Sequence, residues 1–299
     1  MKAQSNNPNL SRRGFLATTA SVAALGVLGS GCSKSQIKST TDAAARAVTG
    51  KIPVGVQVYS VRKVAEKDLA GTLAGIAKMG YAGVEFAGYY GHSAKDVRKM
   101  LDDNGLVCCG THTQYADLAE DKLAATLEFN KTLGNKYVIV PWLQGDEKDM
   151  KNSWLKYAER FNVLSEKLKK QGMWIGYHAH AHDLHPLGDT TSWDVFFSNT
   201  NKDVIMQLDT GNAMTGGGDP VAILKKYPGR AVTIHLKEYS KTNPKALLGE
   251  GDVQWTEVFK LCKTIGGTKW YIIEEEKDAI PPMEGIEISL KNLKEKFRT

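Results

Sequence analysis

Ten polar residues in this 299-residue sequence recur at one kind of place, the downstream end of a short apolar run: Glu85, His112, His178, His180, Gln207, Asp209, His235, Lys237, Glu274 and Glu276. Side chains alternate along an extended strand, so residues two apart share a face. His178 with His180, Gln207 with Asp209, His235 with Lys237 and Glu274 with Glu276 are therefore same-face pairs, while Leu208, Ile234 and Leu236 turn the other way. Imidazole and carboxylate from four successive runs form a mixed nitrogen and oxygen donor set. Such a set suits Mn, Zn, Co or Fe better than Ca or Mg. Each piece alone is weak, because a single strand-end His is usually structural and an Asp before Thr-Gly is usually a turn former. The signal is their joint occurrence.

The elements that must position these residues follow from texture. Apolar, β-branched runs at 54–59, 82–86, 107–112, 137–141, 174–178, 204–209, 231–236 and 270–274 alternate with longer amphipathic stretches. That alternation is the βα pattern of a parallel sheet. Helices are expected over 68–79 and 93–103, each ending near a Gly, and over 154–171, where Phe161, Leu164 and Leu168 recur at helical spacing. Asp219-Pro220 starts another, with an acid at the cap and Pro at the first helical position. Eight βα units predict an α/β protein of the (β/α)8 TIM-barrel class, a single domain over 52–299, with its chemistry at the C-terminal ends of the strands. A doubly wound sheet would want a glycine-rich phosphate turn after the first strand, and Val58-Tyr59-Ser60-Val61 is not one.

At this point the residues resemble a family. Tyr177-His178-Ala179-His180, Gln207-Leu208-Asp209-Thr210-Gly211-Asn212, Ile234-His235-Leu236-Lys237-Glu238, Leu248-Gly249-Glu250-Gly251-Asp252 and Ile273-Glu274-Glu275 look like motifs of the xylose isomerase-like TIM barrels, often labelled sugar phosphate isomerase/epimerases. The resemblance spans about residues 52–299. It implies one divalent metal ion held by Glu, Asp, His and Glu from strands 5, 6, 7 and 8. Asp209, His235 and Glu274 fall on the last three positions. His178 stands where epimerases of the family carry Glu. Some relatives show His-x-His there, which leaves His178 and His180 as alternatives for that ligand, with His178 preferred.

The resemblance further implies proton abstraction next to a sugar carbonyl through a metal-stabilised enediolate, with isomerisation, epimerisation or elimination as outcome. Glu274 is the expected base as well as ligand, with His180 and Glu276 as alternatives, and Lys237 is placed to stabilise oxyanion charge. Glu85 and His112 are expected to bind sugar hydroxyls, and Trp142 and Trp255 to stack on a sugar ring. A His at the strand-5 position removes one acid/base carboxylate, which favours isomerase or lyase chemistry over two-base epimerisation. Glu147 is the first place to seek a second base. Gly216-Gly217-Gly218 reads as a flexible loop at the mouth without chemistry. Two other readings stay open: three-metal hydrolysis as in the endonuclease IV branch, and a non-catalytic sugar-binding lipoprotein.

Composition narrows the partners. Apolar residues make up 42% and charged residues 24%, ordinary for a globular protein. Lys2, Arg12 and Arg13 supply three of the six net positive charges, so the remainder is too small to imply nucleic acid. Ser11-Arg12-Arg13-Gly14-Phe15-Leu16 followed by an apolar stretch to Leu28 reads as a twin-arginine signal over 1–31. Gly29-Ser30-Gly31-Cys32 resembles a lipoprotein box, so a lipid anchor at Cys32 is the one membrane attachment expected. Residues 32–51 are small and polar, as in a tether. Export to the periplasm favours a free, oxidised or glycosidic sugar over a sugar phosphate, and no basic phosphate cradle is evident. Cys108, Cys109 and Cys262 show no disulfide or thiol-metal spacing and are expected in the core. The oligomeric state is left open, a homo-oligomer included.

Overall fold

The computed structural model describes residues 51–277 and 279–297. The signal segment, Cys32 and nearly all of the tether lie outside the described residues. The eight strands form one parallel sheet: β1 Val54–Gln57, β2 Gly83–Phe86, β3 Val107–His112, β4 Tyr137–Val140, β5 Trp174–His178, β6 Ile205–Gln207, β7 Thr233–Leu236 and β8 Trp270–Ile273. Their order is β6-β5-β4-β3-β2-β1-β8-β7, so β1 pairs with β8 as a barrel requires. The ring closes between β6 and β7 through an isolated parallel bridge of Asp209 with His235, where the His235 amide donates to the Leu208 carbonyl at 2.9 Å. This is the (β/α)8 barrel expected from the sequence, with helices between the strands.

Strand residues facing the helices are apolar and fully buried, among them Val56, Val84, Val140, Tyr177, Leu208, Ile234 and Ile273. Removing such a side chain from water stabilises the fold by about 1.5–3 kcal/mol each, which holds the helical jacket on the sheet. Helices at Leu69–Met79 and Ala94–Asn104 are capped by Asp68 and Ser93 and stop at Gly80 and Gly105. The long helix runs Met150–Lys169, starting one turn before the expected boundary at 154. Among the described residues, Cys108, Cys109 and Cys262 are free and buried, as expected.

Two local details differ from the expectation. Residues 58–61 leave the first strand and turn into a 3-10 helix, because Gln57 caps it: its side chain accepts from the Tyr59 amide. Gly216 and Gly218 are packing positions rather than a loose loop. A Cβ on Gly216 would collide with the Ala181 carbonyl oxygen, and one on Gly218 would press on Leu184. The glycines let the end of the short helix Thr210–Thr215 seat against the segment after β5.

Candidate active site

Register brings the polar residues together. In the parallel pairs Gln57 lies beside Glu85, and His178 beside Gln207. A bulge between β2 and β3 skips Cys109 and sets Glu85 against Gly110. A Cβ on Gly110 would occupy the space of the Glu85 carboxylate, so the glycine makes room for a charge in the barrel interior.

Glu85 is fully buried and saturated. Its Oε2 accepts from Gln57 Nε2 at 2.9 Å and His235 Nε2 at 2.5 Å, with His112 Nε2 at 3.1 Å, and its Oε1 accepts from Gln207 Nε2 at 2.8 Å. Burial alone would push this carboxyl up, but His112 and His235 outweigh it and hold it at about 2. Gln207 is the hub: its Nε2 also donates to Thr233 Oγ1 at 3.0 Å, while its Oε1 accepts from His112 Nε2 at 2.9 Å and His178 Nδ1 at 3.0 Å. With the amide oriented by the bonds its Nε2 donates to Glu85 and Thr233, the bond at Oε1 sets the tautomer of His178, whose Nδ1 carries the proton and whose Nε2 keeps its lone pair. Burial lowers the pKa of His178 well below the usual range, so the ring is neutral.

Above this layer the groups are not saturated. One donor atom each from His178, Asp209, His235 and Glu274 lie within 4.8 Å of one another. Asp209 caps the helix Thr210–Thr215 through Oδ1, which accepts from the Asn212 amide at 2.7 Å. Its Oδ2 is buried with no hydrogen-bond partner, 3.9 Å from His235 Nδ1. Burial raises the Asp209 carboxyl to about 7. His235 Nδ1 is hydrogen-bonded to Glu274 Oε2. Burial disfavours a charged His235, yet the carboxylates on either side dominate and raise it to about 10. Glu274 is held well below the carboxylate range, since Lys237 and His235 offset its burial.

The rim is cationic and aromatic. Lys237 Nζ lies 2.5 Å from Glu276 Oε1 and 3.7 Å from Glu274 Oε1. His180 sits beside His178, with ring centroids 4.9 Å apart, and its buried Nδ1 has no hydrogen-bond partner. Burial lowers His180 to about 4, so it is neutral at pH 7. Trp142, 48% exposed after β4, makes edge contact with His180 at 4.7 Å.

A model of the xylose isomerase-like TIM barrel family matches residues 73–296. The chain belongs to that family. An inosose dehydratase from Serratia proteamaculans is 27% identical over 242 residues, covering 68% of this chain and 80% of its own length. A sugar phosphate isomerase/epimerase from Parabacteroides distasonis superposes with a TM-score of 0.68 at 27% identity, covering 81% of this chain and 93% of that one. A D-psicose 3-epimerase shares the fold at 14% identity and a TM-score of 0.59, over 81% of this chain and 98% of its own.

The structure thus gathers His178, Asp209, His235 and Glu274, with Glu85, His112, Lys237 and His180 around them. Trp255 is elsewhere. It is 4% exposed at the start of helix Trp255–Thr264, stacked on Phe259, and its Nε1 donates to Glu238 Oε2 at 2.7 Å. It is a core residue with no face to offer a sugar. Glu238 also accepts from the amides of Gly249 and Val253, so it fastens the 249–253 loop. Glu147 is exposed in the segment after β4. Sequence reasoning missed Gln57 and Thr233, and noted Gln207 only as a strand end. Their signal was slight: polar residues inside apolar runs, at positions sharing the inward face with Glu85 or His235.

Proposed function

We propose that this chain is a divalent-metal-dependent enzyme that removes the proton next to a carbonyl of a non-phosphorylated sugar or keto-sugar, with isomerisation or β-elimination as the outcome. The observation that carries the reading is Asp209 Oδ2, a buried oxygen without a partner inside the group formed with His178, His235 and Glu274. A buried, unpaired acceptor costs about 1–3 kcal/mol, which a cation would relieve. These four residues would hold the ion, and its charge would take the place of the proton between His235 Nδ1 and Glu274. When bound, such an ion supplies Lewis-acid stabilisation of negative charge on a substrate oxygen. Mn, Zn, Co or Fe suits the donor set.

The chain's own residues supply the rest. Glu274 is the carboxylate that takes the proton. Lys237, clamped between Glu274 and Glu276, stays an ammonium and stabilises oxyanion charge at the mouth. His180, neutral with an open Nδ1, relays a proton or hydrogen-bonds a hydroxyl. Trp142 offers an exposed ring face beside it. The second nitrogen of His178 is tied inward to Gln207, so His178 offers no base to the opposite face of a reacting carbon. That supports a single-base outcome, isomerase or lyase, over two-base epimerisation. The dehydratase among the relatives supports elimination as one form of it.

The test is a product screen. Protein loaded with Mn²⁺ or Co²⁺ is incubated with aldoses, ketoses and 3-keto-glycosides in D₂O, and deuterium and products are read by NMR. An isomer or an eliminated fragment with solvent deuterium is the expected result, abolished by Glu274→Gln and far less affected by His180→Gln. Clean inversion at one carbon would overturn the single-base assignment. Export by the twin-arginine route belongs to the same proposal, and a precursor that still leaves the cytoplasm after Arg12→Lys with Arg13→Lys would refute it.

A further inference from the structure

Beside the cluster lies a separate cavity of about 420 Å³, at the C-terminal ends of β2 and β3. Its volume is in the range of small-molecule sites, roughly 300–1,000 Å³. It opens on the same face of the barrel as the cluster, because Ala87, Gly88 and Tyr89 follow β2 directly and Thr113 and Gln114 follow β3. The helix Leu123–Leu133 forms its far side through Ala125, Thr126 and Phe129.

His112 borders both the cavity and the cluster. It lines the cavity, while its ring lies 4.8 Å from that of His178 and stacks at 5.4 Å on that of His235. A molecule reacting at the cluster therefore has a neighbouring compartment for whatever is attached to it. The walls say what that is. Tyr89 and Phe129, with ring centroids 4.4 Å apart, and Ala125 give apolar surface; Gln114, Asp117 and Thr126 give polar groups. Aromatic faces with a few acceptors and donors match a pyranose, which has apolar C–H faces and a hydroxyl rim. No Lys or Arg lines the cavity, and its one carboxylate, Asp117, is paired with Lys122 at 3.4 Å, so the lining has no cation of its own to recruit an anionic group.

Resting on the proposed sugar chemistry, we propose that this cavity is a second carbohydrate subsite that takes a neutral sugar ring joined to the ring reacting at the cluster. The substrate class is then a glycoside rather than a monosaccharide. Gly88 is the lining position at which the cavity can be narrowed by substitution. A Cβ on Gly88 would meet nothing within 4 Å, and its φ is not in the left-handed region. The position therefore accepts a Cβ without a clash, and a longer side chain built on it is the probe of the cavity.

The experiment measures dissociation constants of glucose, trehalose, maltose and cellobiose on the Mn²⁺-loaded protein by ligand-observed NMR titration. At least one disaccharide should bind tenfold or more tighter than glucose. Gly88→Leu should erase that advantage, leaving glucose affinity and metal content as in the wild type, and Gly88→Ala should keep it. Ala125→Phe, which narrows the cavity from the opposite wall, should repeat the Gly88→Leu result. A disaccharide advantage that survives Gly88→Leu and Ala125→Phe overturns the proposal, as does a wild type that binds no disaccharide more tightly than glucose. If the D₂O screen shows no proton exchange while the preference and its loss both hold, the catalytic reading falls and the subsite stands.

Discussion

Two layers of the barrel interior hold much the same kinds of side chain and treat them in opposite ways. In the lower layer, Gln57, Glu85, Gln207 and Thr233 bond to one another and to His112, His178 and His235. In the upper layer, Asp209 Oδ2 and His180 Nδ1 are just as buried and have no hydrogen-bond partner. A buried polar group without a partner is expensive, and proteins keep few of them. The contrast separates scaffold from site better than residue type does. The saturated layer fixes ring tautomers and carboxylate positions, and the open layer is where a cation and substrate would complete the bonding.

The largest effect should come from the open layer. Asp209→Ala or His235→Ala should lower metal affinity by more than the about 10–100-fold typical of an outer partner. Metal analysis after dialysis reads this directly. Without metal, Asp209→Ala should barely shift the melting temperature, because losing a helix cap worth about 1 kcal/mol offsets relief of a buried, unpaired oxygen. Full metal content in both variants would place the ion elsewhere.

Gln207→Leu tests the closed layer. It strips partners from Glu85, His112 and His178 together. The expected results are a loss of about 2–4 kcal/mol in denaturant unfolding and a fall in Co²⁺ affinity of about 10–100-fold. A Co²⁺ absorption spectrum altered in Gln207→Leu would show that Gln207 positions the ligand. An unchanged spectrum would reduce Gln207 to packing.

The smallest effect belongs outside both layers. Trp255→Phe removes the bond to Glu238 and should cost about 1–3 kcal/mol in stability. Turnover at saturating sugar should stay the same in the surviving folded protein. A selective loss of sugar affinity would restore Trp255 to the site.

What could be read in advance follows the range of the interactions. The barrel and His178, Asp209, His235 and Glu274 were legible because strand alternation and strand ends are local patterns. Trp255 was misplaced although the clue was local too: Trp255, Val258, Phe259 and Cys262 fall on one helical stripe, which marks a core face. Gln57 was not legible, since its meaning depends on Glu85, 28 residues away. Glu85 and His235 are 150 residues apart, and nothing in either segment announces that one carboxylate will fasten the other's imidazole. The cavity beside Gly88 is likewise a property of assembled loops.

The place where the ring closes has one more consequence. The first and last strands of the barrel are joined over three residue pairs, whereas β6 and β7 pair at the isolated bridge of Asp209 with His235, with one further backbone bond from the Met206 amide to the Arg230 carbonyl at 2.8 Å. The seam of the barrel is therefore six strands into the chain, and its rivet is made of two of the four residues of the cluster. A ligand held by both side chains would tie the two sides of that seam together like a clasp. Hydrogen exchange at the His235 amide, which donates to Leu208 across the seam, would then serve as a gauge of how tightly the clasp is fastened.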